Sequence, residues 1–402
     1  MEINKIVVVG LGYVGLPAAL MWAKAGIKVH GVDINAGLVD QLNQGTLELE
    51  EEELNTLLAD ETVRANLSAA TEPTEGDVFV VAVPTPIHHL KKSSDLSYVG
   101  KATESLVPYL RPGNLVIIES TIPPLTTDKY VRDIIERESS YRVPQDILLA
   151  HCPERILPGD IYREIVENDR IIGGVDERST DAAAVAYKVF VKGNLNKTTA
   201  LTAELGKLME NTYRDINIAI ANEFSLICDN LGVDPREVIK FANKHPRVNI
   251  LNPGIGVGGH CIPIDPWFLT EVAPYHSQLI ATARRVNDSM PKHVASKIRQ
   301  ELRSISDPKI VALGATYKRN CADERESPAG DVVEELKRDG YQVSHYDPFV
   351  ESMQYDSLKS IAEGADLLVV LVAHDVVRQE IEDQQKELSQ VMRTPNILFL
   401  DK

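Results

Sequence analysis

The run KIVVVGLGYVGLP, residues 5–17, constrains the fold more than any other stretch. Its apolar start stops at Gly10, Gly12 and Gly15, and the next apolar run, KVHGVD, ends in Asp33, 23 residues beyond Gly10. A strand that passes through a glycine turn directly into a helix, then into a second strand closed by a carboxylate, is a βαβ unit. The glycines permit the tight turn, a close approach of ligand to backbone, and helix-to-strand packing. The helix N-terminus attracts a pyrophosphate, while Asp33 suits two ribose hydroxyls and repels a 2′-phosphate. NAD is therefore expected rather than NADP, with Tyr13 and Val14 inside the binding turn.

The rhythm continues through DVFVVAVP, NLVIIES and DILLAHCPE, each separated by an amphipathic segment. It predicts a doubly wound α/β domain with a parallel sheet. From Thr198 to Asn230 the pattern is continuously helical, a rod of roughly 45 Å that offers a dimerisation surface. Gly232 stops this helix and Pro235 opens the next. After Pro308 the alternation resumes with KIVALGATY, YQVSHYDP, DLLVVLVAH and NILFLDK. The expected fold is α/β, with two Rossmann-like doubly wound domains joined by a long central helical segment. The expected divisions are 1–197, 198–300 and 301–402.

A net charge of −17 over 402 residues argues against nucleic acid and anionic membranes as partners. The acidic run 48–61 reads as a solvated helical face. No apolar run approaches a membrane span, and MEINKIVVVG has no signal-peptide pattern, so a cytoplasmic protein is expected. Four cysteines without a CxxC pair agree with a reducing compartment.

The stretch GIGVGGHCIPIDPW, residues 254–267, repeats the glycine spacing but follows no strand, and Pro263 and Pro266 are expected to obstruct a helix after it. Its glycines would leave amide donors open beside Cys261, the setting of a covalent nucleophile, with Asp265 four residues on. A metal reading of His260, Cys261 and Asp265 lacks a second ligand cluster, so no metal is expected. Lys207, Asn211 and Arg214 share one helix face, suiting a general acid with a hydrogen-bond donor. The plainer alternative is a solvated stripe in which Glu210 pairs with Arg214. Glu154 and Arg155 end the fifth strand, where a general base and a phosphate grip would sit, while Cys152 packs inside. Thr85 and Thr121 close neighbouring strands and either touch the cofactor or serve as turn residues.

Taken in order, GLGYVGLP, VPTP, EST, CPERILPG, GKLMENTYRD, GGHCIPIDP and TYKRNCADERESPA resemble the UDP-glucose/GDP-mannose 6-dehydrogenase family from residue 3 to about 350. The resemblance implies an NAD-binding N-terminal domain, a helical dimerisation centre and a C-terminal domain for a UDP-sugar. It implies oxidation of a sugar C6 alcohol to the carboxylate with two NAD molecules in turn. Cys261 would form a thiohemiacetal and then a thioester, Glu154 would assist hydrolysis, and Lys207 would stabilise the oxyanion beside Asn211 and Asp265. Arg155, Ile156, Arg214, Gly258, Tyr317, Lys318 and Arg325 match positions that hold the sugar nucleotide, with Lys207 and Asn211 also touching it. Arg325 is counted with the cofactor contacts too. His245 and Arg247 look like substrate contacts supplied by the neighbouring subunit of a homodimer.

Ile264 stands where the UDP-glucose branch tends to carry lysine. CPERILPG, ENDRIIGG and HPRV look most similar to the branch that takes UDP-N-acetylhexosamines, N-acetylmannosamine ahead of N-acetylglucosamine. DINAGL lacks an arginine often found after the ribose-binding aspartate. Two other readings compete: a two-electron hydroxyacid-type dehydrogenase without a nucleophilic cysteine, and a non-catalytic nucleotide sensor.

Overall fold

The computed structural model describes residues 2–49, 51–88, 90–156 and 159–400. Leu157 and Pro158 of the CPERILPG run, and the last two residues of NILFLDK, lie outside them. The chain forms two compact units, Met1–Glu210 and Asn211–Lys402.

In the first unit the strands are β1 Lys5–Val9, β2 Lys28–Val32, β3 Leu67–Ala70, β4 Val78–Val81, β7 Leu115–Ile118, β8 Leu148–His151, β9 Arg170–Gly174 and β10 Leu195–Thr199. A small hairpin, β5 Ile87–His88 and β6 Ser93–Ser94, stands apart. The sheet order is β10-β9-β8-β7-β4-β1-β2-β3. Alternate residues of the central strands enter separate cores. Ile6, Val8, Val78, Val80, Leu115 and Ile117 pack on one face, and Val7, Val9, Phe79, Val81, Val116 and Ile118 on the other. Burial on both faces explains why these strands read as continuous apolar runs.

Trp22, on the helix Gly15–Lys24, is fully buried against the helix Glu177–Lys188. Its indole Nε1 donates to the Ala186 carbonyl at 2.7 Å, and its ring lies 5.4 Å from Tyr187 and 5.6 Å from Phe190. Trp22→Ala is expected to cost about 3–5 kcal/mol, read as a lower midpoint in denaturant unfolding. A change below about 1 kcal/mol would show that this aromatic cluster is not a structural centre.

Three strands depart from the sequence expectation. LSAA forms β3, and β9 and β10 add an edge pair in which β9 runs antiparallel to β8, so the sheet is mixed. RIIGG carries an arginine and two glycines, and LNKTT is an exposed, polar edge strand, so neither has the apolar signature of the centre. Gly173 and Gly174 are glycines for close packing. A Cβ at Gly173 would lie 2.6 Å from Ala203 Cβ, and one at Gly174 2.3 Å from Thr180 N.

The acidic run forms two helices, Glu52–Ala59 and Glu61–Asn66, the second capped by Asp60 accepting from Thr62 N and Val63 N. It is not wholly solvated. Leu54 and Leu57 are buried, and Glu51 accepts from Gly159 N and Ile161 N at 2.6 and 2.9 Å.

The long helix runs Ala200–Leu231, ends at Gly232 with φ +71°, and is followed by Pro235–Ala242 with Pro235 in its first turn. In the second unit the strands are β11 Lys309–Leu313, β12 Gln342–Tyr346, β13 Leu367–Val370 and β14 Ile397–Phe399. They form a parallel sheet in the order β12-β11-β13-β14. Its strands are again buried on both faces, with Ile310, Ala312, Leu367 and Val369 on one and Val311, Leu313, Leu368 and Val370 on the other.

Pro266 does not obstruct a helix. It sits in the first turn of Asp265–Val272, where the absent amide hydrogen has no partner to lose and the fixed φ favours helix.

Candidate active site

The first unit assembles the dinucleotide turn. Gly10 adopts φ +93° and donates its amide to Val32 O at 2.8 Å. Asp33 Oδ2 accepts from Leu11 N and Oδ1 from Asn35 N, both at 2.9 Å, so the carboxylate is fixed beside the turn. A Cβ at Gly15 would fall 1.9 Å from Gly10 O, which demands glycine for helix-to-strand contact. A Cβ at Gly12 would meet nothing within 4 Å, so this backbone is open to a ligand's approach. Tyr13 is exposed and Val14 half-buried in the same turn. The open cradle, helix N-terminus and fixed carboxylate fit a dinucleotide. In place of the arginine absent after Asp33, Asn35 caps the helix Ala36–Gln44 by accepting from Leu38 N.

Off the carboxyl ends of β4 and β7, Thr85 Oγ1 donates to Thr121 O at 2.6 Å, bringing the two threonines together as half-buried neighbours. The segment after Thr121 is anchored to the long helix by Glu204, which is fully buried and accepts from Leu125 N at 2.7 Å and Thr127 N at 2.8 Å. Burial pushes the Glu204 carboxyl up to about 7, against those hydrogen bonds. Sequence reasoning missed this residue. Its signal is a lone acid at i−3 from Lys207 on the apolar part of the helix.

At the end of β8, Glu154 is nearly buried. It accepts from Arg155 N at 2.7 Å and pairs with Arg170 Nη2. Arg170 Nη1 also pairs with buried Glu119 at 2.6 Å. Burial raises the Glu119 carboxyl, with Arg170 opposing that rise. Arg155 donates to Asp169 O at 3.0 Å and pairs with Glu210 on the long helix, one turn from half-buried Lys207. Glu210 therefore pairs with Arg155, not with Arg214, because the strand-end arginine reaches it across the fold; Arg214 is exposed. Ile156 packs partly buried against the first core. Cys152 is fully buried and burial pushes its thiol up, consistent with packing. His151 is fully buried and lowered to about 3 by burial, so it is neutral.

In the second unit, Asn211 Nδ2 donates to Asp265 Oδ2 at 2.6 Å, and Asp265 is 2% exposed. The carbonyl of half-buried Cys261 accepts from Ile264 N and Asp265 N at 3.1 and 2.9 Å, so the cysteine opens the helical turn that carries Asp265. The glycines before it have a different use from the one expected. Gly259 N donates to Arg325 O at 3.0 Å, and a Cβ at Gly258 would lie 2.7 Å from Tyr317 Cβ. Glycine is required there because the 317–328 segment presses on the loop, and at least the Gly259 amide is consumed in holding it.

That contact sets Tyr317 and the Arg325 backbone against Gly258 and Gly259, in the loop that leads into Cys261. The Tyr317 phenol is pushed up to about 12, by burial first and then by the negative charge of Asp323. Arg325 grips Asp323 at 2.9 and 2.6 Å and holds that carboxyl below the usual range against its burial. Lys318 is exposed on the same segment. His245 and Arg247 lie exposed after the helix Pro235–Ala242, apart from these groups in sequence, with Arg247 N donating to His245 Nδ1 at 3.4 Å.

The chain matches three family models. Residues 4–191 match the NAD binding domain of the UDP-glucose/GDP-mannose dehydrogenase family, 201–289 its central domain and 311–400 its UDP binding domain. It is 48% identical over 394 residues to a UDP-N-acetyl-D-mannosamine dehydrogenase of Methanococcus maripaludis, covering 96% of this chain and 90% of that one. It is 42% identical over 392 residues to an NDP-N-acetyl-D-galactosaminuronic acid dehydrogenase of Ralstonia solanacearum, covering 94% and 92%. A solved UDP-D-ManNAc dehydrogenase from Pyrococcus horikoshii superposes with a TM-score of 0.93 at 40% identity, covering 99% of this chain and 95% of that one.

Proposed function

The chain belongs to the UDP-glucose/GDP-mannose dehydrogenase family, and we propose that it oxidises the C6 alcohol of UDP-N-acetyl-D-mannosamine to the carboxylate, giving UDP-N-acetyl-D-mannosaminuronate. The bond from Asn211 to Asp265 at 2.6 Å carries this reading, because it ties Asn211 to the turn that Cys261 opens. The substrate assignment is supported by the relatives that match along nearly the whole chain.

NAD, when bound, accepts one hydride in each of two oxidations, for an overall RCH2OH + H2O + 2 NAD⁺ → RCOO⁻ + 2 NADH + 3 H⁺. The open Gly12 backbone and the N-terminus of Gly15–Lys24 receive the pyrophosphate, and Asp33 the ribose hydroxyls. Cys261 Sγ attacks the C6 aldehyde, forming a C–S bond as the carbonyl oxygen becomes an alkoxide. Lys207 stabilises that oxyanion and delivers a proton to it, with Asn211 and Asp265 as hydrogen-bonding companions. Loss of a hydride from the thiohemiacetal carbon, with its hydroxyl proton returned to Lys207, leaves a thioester. Water then adds to its carbonyl carbon while Glu154 takes the water proton, and the C–S bond breaks with sulfur leaving as thiolate.

Arg155, Ile156, Arg214, Gly258, Tyr317, Lys318 and Arg325 hold the sugar nucleotide, with Arg325 also near the cofactor. The divisions 1–197, 198–300 and 301–402 then serve cofactor, dimerisation and UDP-sugar. The long helix exposes Tyr213, Ile220, Phe224, Ile227 and Leu231, a seam of helical spacing that supports a homodimer. His245 and Arg247 then serve the neighbouring subunit's site. Among the described residues no helix is long and apolar enough to cross a membrane, which is compatible with a cytoplasmic enzyme.

A panel of UDP-N-acetylmannosamine, UDP-N-acetylglucosamine, UDP-N-acetylgalactosamine, UDP-glucose and GDP-mannose tests the substrate. The first should give the highest kcat/KM by at least about tenfold. An equal or higher value with either N-acetyl epimer would reassign the substrate.

A further inference from the structure

Arg170 begins β9, and it reaches two acids only because β9 runs against β8. The register pairs His151 with Gly173 and Ala150 with Gly174, so the first residue of β9 lies beyond the carboxyl end of β8. A parallel β9 would carry that residue to the opposite edge of the sheet. At the carboxyl edge, Arg170 donates Nη1 to Glu119 at 2.6 Å and Nη2 to Glu154 Oε2. Arg170 is 4% exposed, Glu119 1% and Glu154 8%, and the guanidinium carbon lies 4.3 Å over the Tyr187 ring. Glu154 Oε1 is held at the same time by Arg155 N at 2.7 Å. Both carboxylate oxygens of Glu154 are thus anchored from different directions.

A buried cation, even one paired with acids, is a costly way to add stability, since desolvation offsets much of the ion-pair attraction. What a planar guanidinium fork adds over an apolar replacement is orientation: two fixed donor directions, which a lysine ammonium does not supply. Here the fork spans one acid at the end of β7 and the acid assigned to water activation after β8.

We propose that Arg170 is a positioning residue for the hydrolytic half of the reaction, its fork fixed by Glu119 on one side and aiming the Glu154 carboxylate on the other. The inference rests on the function proposed above. The step it serves needs no added redox partner. Water oxygen bonds to the thioester carbon, Glu154 takes the water proton, and the C–S electron pair leaves with Cys261. Before that step Glu154 has no task, so both hydride transfers are independent of its aim.

Arg170→Lys is therefore expected to give a burst of two NADH per active site at close to the wild-type rate. The steady state that follows should be roughly 10- to 100-fold slower, the usual penalty for a misaimed catalytic group. The quenched protein should carry the sugar nucleotide on Cys261, seen by intact mass. Glu119→Ala, which frees one side of the fork, should give the same burst more weakly and serves if the lysine variant does not fold. Loss of burst and steady state by one common factor in both variants, or an unchanged steady state, overturns the inference. A wild type that yields one NADH per sugar overturns the proposed function instead. Two NADH per sugar in wild type with no burst in either variant removes only the role of Arg170.

Discussion

Cys261→Ser is expected to lower carboxylate formation by about 10³-fold or more while leaving the fold intact. The side chain is half-buried and replaced by one nearly isosteric, so the melting temperature should hold within a few degrees. A serine hydroxyl lacks the thiolate's nucleophilicity, so an oxygen adduct would form too slowly to accumulate. Rapid quenching of wild type during turnover should show a sugar-nucleotide adduct on Cys261, and the variant none. Carboxylate formation at even a tenth of the wild-type rate would remove Cys261 from the chemistry and favour a mechanism without a tethered aldehyde.

Gly15→Ala is expected to damage folding and cofactor binding together. The added methyl would overlap Gly10 O at 1.9 Å and crowd Ala82 Cβ at 3.1 Å, so the helix must move away from β1. A loss of roughly 2–4 kcal/mol follows from a steric conflict with fixed backbone, along with at least a tenfold weaker grip on NAD. Gly12→Ala provides the contrast, since its methyl meets nothing within 4 Å. Its thermal midpoint should match wild type while NAD affinity falls as far, because the methyl occupies space the pyrophosphate needs. Melting curves and NAD titrations on both variants check the pair. Equal NAD affinity in Gly12→Ala and wild type would place the cofactor elsewhere.

Legibility followed local physics. β1, β4 and β7 are buried on both faces, so their alternate residues are all apolar and the strands stand out in the text. The fingerprint turn, the long helix and the stop at Gly232 depend on neighbours only a few residues away, and the sequence states them directly. β9 and β10 depend on a distant surface. Gly173 is fitted to Ala203, and LNKTT lies at an exposed edge, so neither reads as a strand alone.

The site divides along the same line. Asp33, Cys261 and Asp265 announce themselves through a motif or an unusual local composition. Glu119, Arg170 and Glu204 act through partners 51, 16 and 77 or more residues away, visible only once the sheet and helix are in place. The helical rule of i and i+4 misassigned Glu210 for this reason, since Arg155 reaches it from 55 residues earlier. The rule that proline ends helices failed at Pro266 because position within the first turn, not residue type alone, decides the outcome.

The claim that one thiol links two oxidations is tested most directly by counting NADH against UDP-N-acetylmannosamine consumed to completion with excess NAD. Two NADH per sugar, with the uronate as the released product, is the expected result. One NADH per sugar, with an aldehyde or ketone released, would contradict it.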